Sequence, residues 1–286
     1  MPICLAHEGY KQPQQLLVLS YFLSIGQPLD LVINIGGFNE VALGGLNQQR
    51  GWDVSMPSVM HLDPLMNLIN ETTMTPAKLE SATRIRQLKE RLARLAERIN
   101  ATRLAAVYVT LEQIYAYTDN EYRNERLAFQ RLPSAAGQES LVHVTPPVTP
   151  RDEQAALIEG AREWAAAAVL SHDLLAARQV PYFDILQPNQ YGTARTFSSE
   201  EGAVALSGES PFRAPATAGY PFLRKELAAT QGARPDVHLL DATAIFDGTP
   251  AAVYMDNCCH YTLVGNDLLA DYIAGAILGA PGPWNR

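Results

Sequence analysis

Residues 253–277 read VYMDNCCHYTLVGNDLLADYIAGAI. An acid, two cysteines and a histidine share one short loop after an apolar run, and an amphipathic helix follows. A histidine so placed, His260, can act as a general base and take the proton of a hydroxyl nucleophile. Asp256, four residues earlier, can orient the imidazole and stabilise its charged form. Residues 30–40 read DLVINIGGFNE, an apolar strand that ends in a Gly-Gly turn and Asn39. A third strand, VPYFDIL over 180–186, runs into Gln187, Pro188 and Asn189. In open α/β sheets the loops after the strands meet in one crevice. Asn39, Gln187, Asn189, Asp256 and His260 are therefore expected on one side of the molecule.

These segments resemble the SGNH (GDSL-type) hydrolases. That family ends in Asp-x-x-His followed by a helix, which DNCCHYTLVGNDLLADYIA resembles. It carries Gly-x-Asn-Asp or Asn-Glu after a central strand, which GGFNE resembles. The resemblance implies a serine esterase that works through a seryl ester on an acyl or acetyl ester, including one on a carbohydrate. It implies His260 as base, Asp256 as its partner, and an oxyanion hole made by Gly9 and the Asn39 side chain. Donors of that kind lower an acyl-transfer barrier by about 2.7–4 kcal/mol each. The implied fold is a three-layer α/β/α sandwich on a parallel, flavodoxin-like sheet, as a single domain over 1–286 with insertions at about 44–74 and 192–219.

The chain departs from that pattern twice. Asn257 occupies the place three residues before the histidine, with Asp256 one further back, so either can orient His260. The Gly-Asp-Ser nucleophile belongs ahead of Gly9, and residues 1–8 contain no serine. The chain is thus expected to start downstream of its nucleophile, with a sheet that lacks one strand and shows an unpaired edge. Gly208-Glu209-Ser210 imitates the nucleophile motif, but no buried strand leads into it. The alternative is a non-catalytic scaffold that binds a glycan or acyl ligand in the same crevice.

The elements that would position these residues are legible from periodicity. Residues 12–25 read as a helix, 30–35 as a buried strand, and 44–74 as irregular chain. Leu79, Ala82, Ile85, Leu88, Leu92, Leu95 and Ile99 form one stripe on a helix over 76–101, capped by Thr75 and opened by Pro76. That helix continues past Tyr108 or breaks near Asn100. Residues 133–150 read as linker, 151–178 as helix, 180–186 as strand and 192–219 as loop. Short strands are expected over 237–243 and 252–256, then a helix over 266–278 capped by Asn266. Strands alternating with helices imply a parallel sheet covered on both faces.

Composition narrows the function further. The formal net charge is −8, which argues against a nucleic-acid backbone as partner. No apolar run approaches ~18 residues, so no membrane span is expected. Residues 1–15 lack the pattern of a signal peptide. Cys4, Cys258 and Cys259 show no C-x-x-C spacing, and the vicinal pair reads as small apolar residues beside the loop. His7, His61, His143, His172 and His238 are scattered, so neither metal nor cofactor is expected. GGFNEVALGG has no dinucleotide or P-loop spacing.

Overall fold

The computed structural model describes residues 2–58, 61, 76–132, 151–208 and 210–285. In chain order the elements are α1 (Gln14–Ser24), β1 (Val32–Gly36), α2 (Phe38–Gln49), α3 (Pro76–Ala101), α4 (Ala105–Arg131) and α5 (Glu153–Ala176). They continue with β2 (Tyr182–Leu186), α6 (Ser199–Ala205), α7 (Arg213–Ala233), β3 (His238–Asp241) and α8 (Leu263–Gly279). The chain is α/β and forms two compact units, residues 1–63 with 145–286, and residues 64–144.

The first unit is built on a parallel sheet of order β1-β2-β3. β2 is central and every residue in it is buried. Its side chains alternate between two cores, as the period of a strand requires. Tyr182 and Leu186 pack with Phe38, Trp164, Tyr220 and Leu223, from α2, α5 and α7. Phe183 and Ile185 pack with Leu269 and Ile273 of α8. Helices therefore cover both faces. The strand ends are level: Gly36 is opposite Leu186, and Leu186 opposite Asp241. The loops that leave them emerge together.

Among the described residues β1 is an outer strand. Its Ile33 and Ile35 are 44% and 41% exposed, which is unusual in a parallel sheet, whose strands are normally buried on both faces. At its end the chain turns sharply at Gly37, with φ of +103°. A Cβ there would lie 2.3 Å from Leu186 Cδ1, so glycine is required by both conformation and space.

The second unit contains α3 and α4, packed on one another. Leu88, Leu92 and Leu95 of the expected stripe are buried, as is Leu111 of α4. Ser81 Oγ donates to Glu125 Oε1 across the pair at 2.6 Å. The helix break falls at Thr102–Leu104. Among the described residues no helix is long and apolar enough to cross a membrane.

Four expectations are corrected. The segment 44–74 is not irregular at its start, because α2 runs through Gly44 and Gly45 to Gln49. Gly45 sits where a Cβ would be 2.8 Å from Pro215 Cβ, so close packing outweighs poor helix propensity. The loop expected over 192–219 contains α6 and the start of α7. Ser198 caps α6 by accepting from Glu201 N, and Pro215 is tolerated in the first turn of α7. Residues 252–256 form no strand, only an isolated antiparallel bridge between Tyr254 and Tyr261. The last helix starts at Leu263 with Thr262 as its cap, one turn before Asn266. Thr75, Glu209, His143 and the segment 133–150 lie outside the described residues.

Candidate functional site

The loop 254–261 is closed like a hairpin. Met255 N donates to His260 O at 3.1 Å, and Thr262 N donates to Val253 O at 2.9 Å. Inside it the Asp256 carboxylate organises the turn. Oδ1 accepts from Cys258 N at 2.9 Å and from His260 N at 3.3 Å. Oδ2 pairs with Nδ1 of His260. One aspartate thus fixes both the backbone and the ring of the histidine that follows it.

The segment after β2 clamps this loop from outside. Asn189 Nδ2 donates to Cys258 O at 2.9 Å, Gln190 Nε2 to Asp256 O at 3.1 Å, and Tyr191 OH to Asn257 O at 2.6 Å. Gln187 Nε2 reaches Tyr261 OH at 3.3 Å. Ser210 Oγ also donates to Asn257 O, at 2.7 Å. The Asn257 side chain turns away and donates to Ser207 Oγ at 2.6 Å. Asp256, not Asn257, therefore orients His260, and the Ser210 hydroxyl is spent on a backbone carbonyl.

A buried ion pair supports the approach to the loop. Arg195 Nη2 and Glu201 Oε2 are 2.6 Å apart, with both side chains almost fully buried. Arg195 also donates to the carbonyls of Phe246, Thr249 and Ala251. Glu201 Oε1 accepts from Val253 N at 2.7 Å and Tyr254 N at 3.1 Å. Residues 246–254 are thus pinned just before Asp256. This pair was not singled out in the sequence, though Ser198-x-x-Glu201 is a capping-box spacing.

The charges at the loop are set by the Asp256–His260 pair. Burial pushes Asp256 up, but hydrogen bonds from His260 and Cys258 N outweigh it and hold the carboxyl below its ordinary range. The hydrogen bond to Asp256 raises His260 above the ordinary histidine value, against partial desolvation. The hydrogen bond with Cys259 lowers the Cys258 thiol, and the same bond pushes Cys259 up.

A cavity of about 850 Å³ opens beside this loop. Gly9, Asn39 and His260 all line it, so three of the four predicted site residues border one space. Its far wall is apolar, with Leu19 and Phe22 of α1 against Ile33 and Ile35 of β1. Gly9 adopts φ of +75° in the turn at 8–9. Asn39 Nδ2 donates to Tyr10 O at 2.6 Å, which ties the start of α2 to the Gly9 turn. Among the described residues no serine or threonine hydroxyl bonds to the His260 ring.

Further polar groups, which no local sequence pattern discloses, flank the Gly9 turn and the start of α2. Glu40 is buried and accepts from Gly37 N at 2.7 Å and Gln12 N at 2.8 Å. Burial raises its pKa. Lys11 is also buried; its ammonium bonds to Val54 O, and burial lowers its pKa to about 8. His7 and His61, expected to be unrelated, both pack on Tyr10, with ring centroids 5.0 and 5.6 Å away. Ser58 Oγ lies 3.3 Å from His61 Nδ1.

Comparison with protein-family models, curated proteins and solved structures finds no match to this chain.

Proposed function

We propose that the His260–Asp256 pair is the general base and orienting carboxylate of an ester hydrolase of SGNH type. The observation that carries the reading is the contact of His260 Nδ1 with Asp256 on a clamped loop at the cavity wall. With Nδ1 held by a carboxylate, Nε2 is the nitrogen left to take a proton.

In this mechanism Nε2 removes the proton of a serine hydroxyl as its oxygen attacks the ester carbonyl. The Gly9 N–H and the second Asn39 amide N–H donate to the oxyanion. Collapse returns the proton to the departing alcohol and leaves a seryl ester. Water, deprotonated by the same histidine, releases the acid. The apolar wall favours the acyl side of the substrate in the cavity, with the alcohol, including a sugar, toward solvent. On this reading the serine stands on a further strand alongside β1. The exposed isoleucines of that strand and the groove beside it support the placement.

A second reading is favoured by the lack, among the described residues, of a hydroxyl on His260. It is a non-catalytic scaffold that binds a glycan or acyl ligand in the same cavity. The test is hydrolysis of nitrophenyl esters by the protein. His260→Ala should lower kcat/KM by about 10²–10⁴-fold. A fluorophosphonate probe should label one serine, identified by peptide mass spectrometry. Absence of both turnover and labelling would sink the hydrolase and leave the binding scaffold.

A further inference from the structure

We propose that Cys258, Cys259 and His260 form a binding site for a thiophilic divalent cation of the zinc class. Both sulphurs and a ring nitrogen lie within 4.8 Å of one another. The two Sγ atoms are 3.4 Å apart and both thiols are free. A disulfide needs about 2.05 Å between sulphurs. Two Zn–S bonds of about 2.3 Å at a tetrahedral angle span about 3.8 Å. The observed separation is that of two thiols in hydrogen-bond contact, not of a disulfide, and it differs by only about 0.4 Å from the spacing of two sulphurs on one ion.

The outer contacts have the form a metal site requires. A ligating histidine characteristically gives its other ring nitrogen to a carboxylate, which fixes the ring and raises its basicity. Asp256 holds Nδ1 of His260 in that way, which leaves Nε2 for the ion. The donors are preorganised as well. The carbonyls of Asp256, Asn257 and Cys258 are each tied down by side chains from Gln190, Tyr191 and Asn189, so binding need not order the loop. All three residues line the cavity, and none of them is fully buried.

On binding, each thiol gives its proton to solvent and becomes a thiolate ligand. Water completes the tetrahedron. Sequence spacing hid this site, because a Cys-Cys-His run matches no common zinc pattern. The consequence for hydrolysis rests on the function proposed above. An ion on Nε2 occupies the lone pair that a general base needs, so metal would switch the enzyme off.

Binding is tested without any activity assay. The reduced full-length protein is titrated with cobalt(II), whose thiolate complexes absorb in the near-ultraviolet, and then with zinc as competitor. The expected result is one ion per chain, and zinc protection of Cys258 and Cys259 from iodoacetamide, read by peptide mass spectrometry. Cys258→Ser and Cys259→Ser should each remove the thiolate absorption or weaken binding at least about tenfold, and Asp256→Asn should weaken it by about tenfold. Cys4→Ser should leave it unchanged. Alkylation unaffected by zinc in the wild-type protein, or cobalt absorption that survives both cysteine substitutions, would overturn the site. Binding with no effect on ester turnover would retain the metal site and count against His260 as the base.

Discussion

Asp256 sets what His260 can do, and the signs can be worked out. The carboxylate raises the histidine above its ordinary value of 6.5. A general base must be neutral, so on the proposed function ester hydrolysis should rise with pH through that elevated value. Asp256→Asn should move the acid limb of the pH–rate profile down toward 6.5 and cut kcat by up to about 10⁴-fold. An unmoved limb would show that another group titrates there. The same pair links stability to pH. The raised histidine contributes below its ordinary 6.5 and its contribution is lost as pH climbs through the folded value. The lowered aspartate contributes above 3.8 and its contribution is lost on acidification. The advantage of wild type over Asp256→Asn in urea midpoint should therefore be larger near about pH 5 than near about pH 9, though modest because both groups meet solvent. A different effect is expected at Glu201, whose carboxylate is shut away from water with Arg195. Glu201→Ala leaves a buried guanidinium without its counter-charge, which costs about 3–5 kcal/mol. Replacing both, Arg195→Met with Glu201→Leu, should recover part of that loss. Equal urea midpoints for the single and double variants would show that the backbone bonds of Glu201, not its charge, carry the effect.

At the scale of elements, close helix contact decides more than propensity does. Gly219 of α7 faces Val41 of α2, and a Cβ there would lie 2.4 Å from Val41 Cβ. Gly219→Ala should destabilise by about 1–3 kcal/mol through overpacking. Gly232, near the end of the same helix, has open space around it. Gly232→Ala should be neutral or stabilising by up to about 1 kcal/mol. Chemical denaturation of both variants checks the pair, and equal effects would mean that α2 and α7 do not meet this closely in solution. The same physics explains which elements were legible in the sequence. VINIG and YFDIL are short β-branched or aromatic runs, so β1 and β2 could be read directly. The stripe Leu88, Leu92, Leu95 disclosed α3 for the same reason, a period that one face must bury. By contrast α2 and α7 contain glycines and prolines whose local signal is a break, and only their tertiary contacts reveal the helix. The site divides in the same way. Asp256 and His260 were legible because they are near neighbours in sequence. Their clamp from Asn189, Gln190, Tyr191, Ser207 and Ser210 depends on contacts across 47 or more positions, which no local pattern encodes.

For the whole molecule, the decisive feature is an asymmetric sheet. β2 is sealed on both faces, whereas β1 offers an outer edge with two isoleucines over 40% exposed. That edge borders the apolar wall of the cavity that reaches His260. An outer strand with apolar side chains is a template for another strand. The chain is therefore expected to associate as concentration rises. Ile33→Lys with Ile35→Lys should suppress that association, because a charge on the edge must be desolvated before a strand can pair there. Sedimentation velocity over a concentration series reads the outcome. The double variant leaves β2 and both cores untouched, so far-ultraviolet circular dichroism should be unchanged. If the wild-type chain stays monomeric throughout, β1 does not serve as a template for a second chain. If association persists in the lysine variant, a surface other than β1 drives it. Suppression with the fold intact would mark β1 as the place where a further strand joins the sheet, and that is where the proposed hydrolase requires its serine.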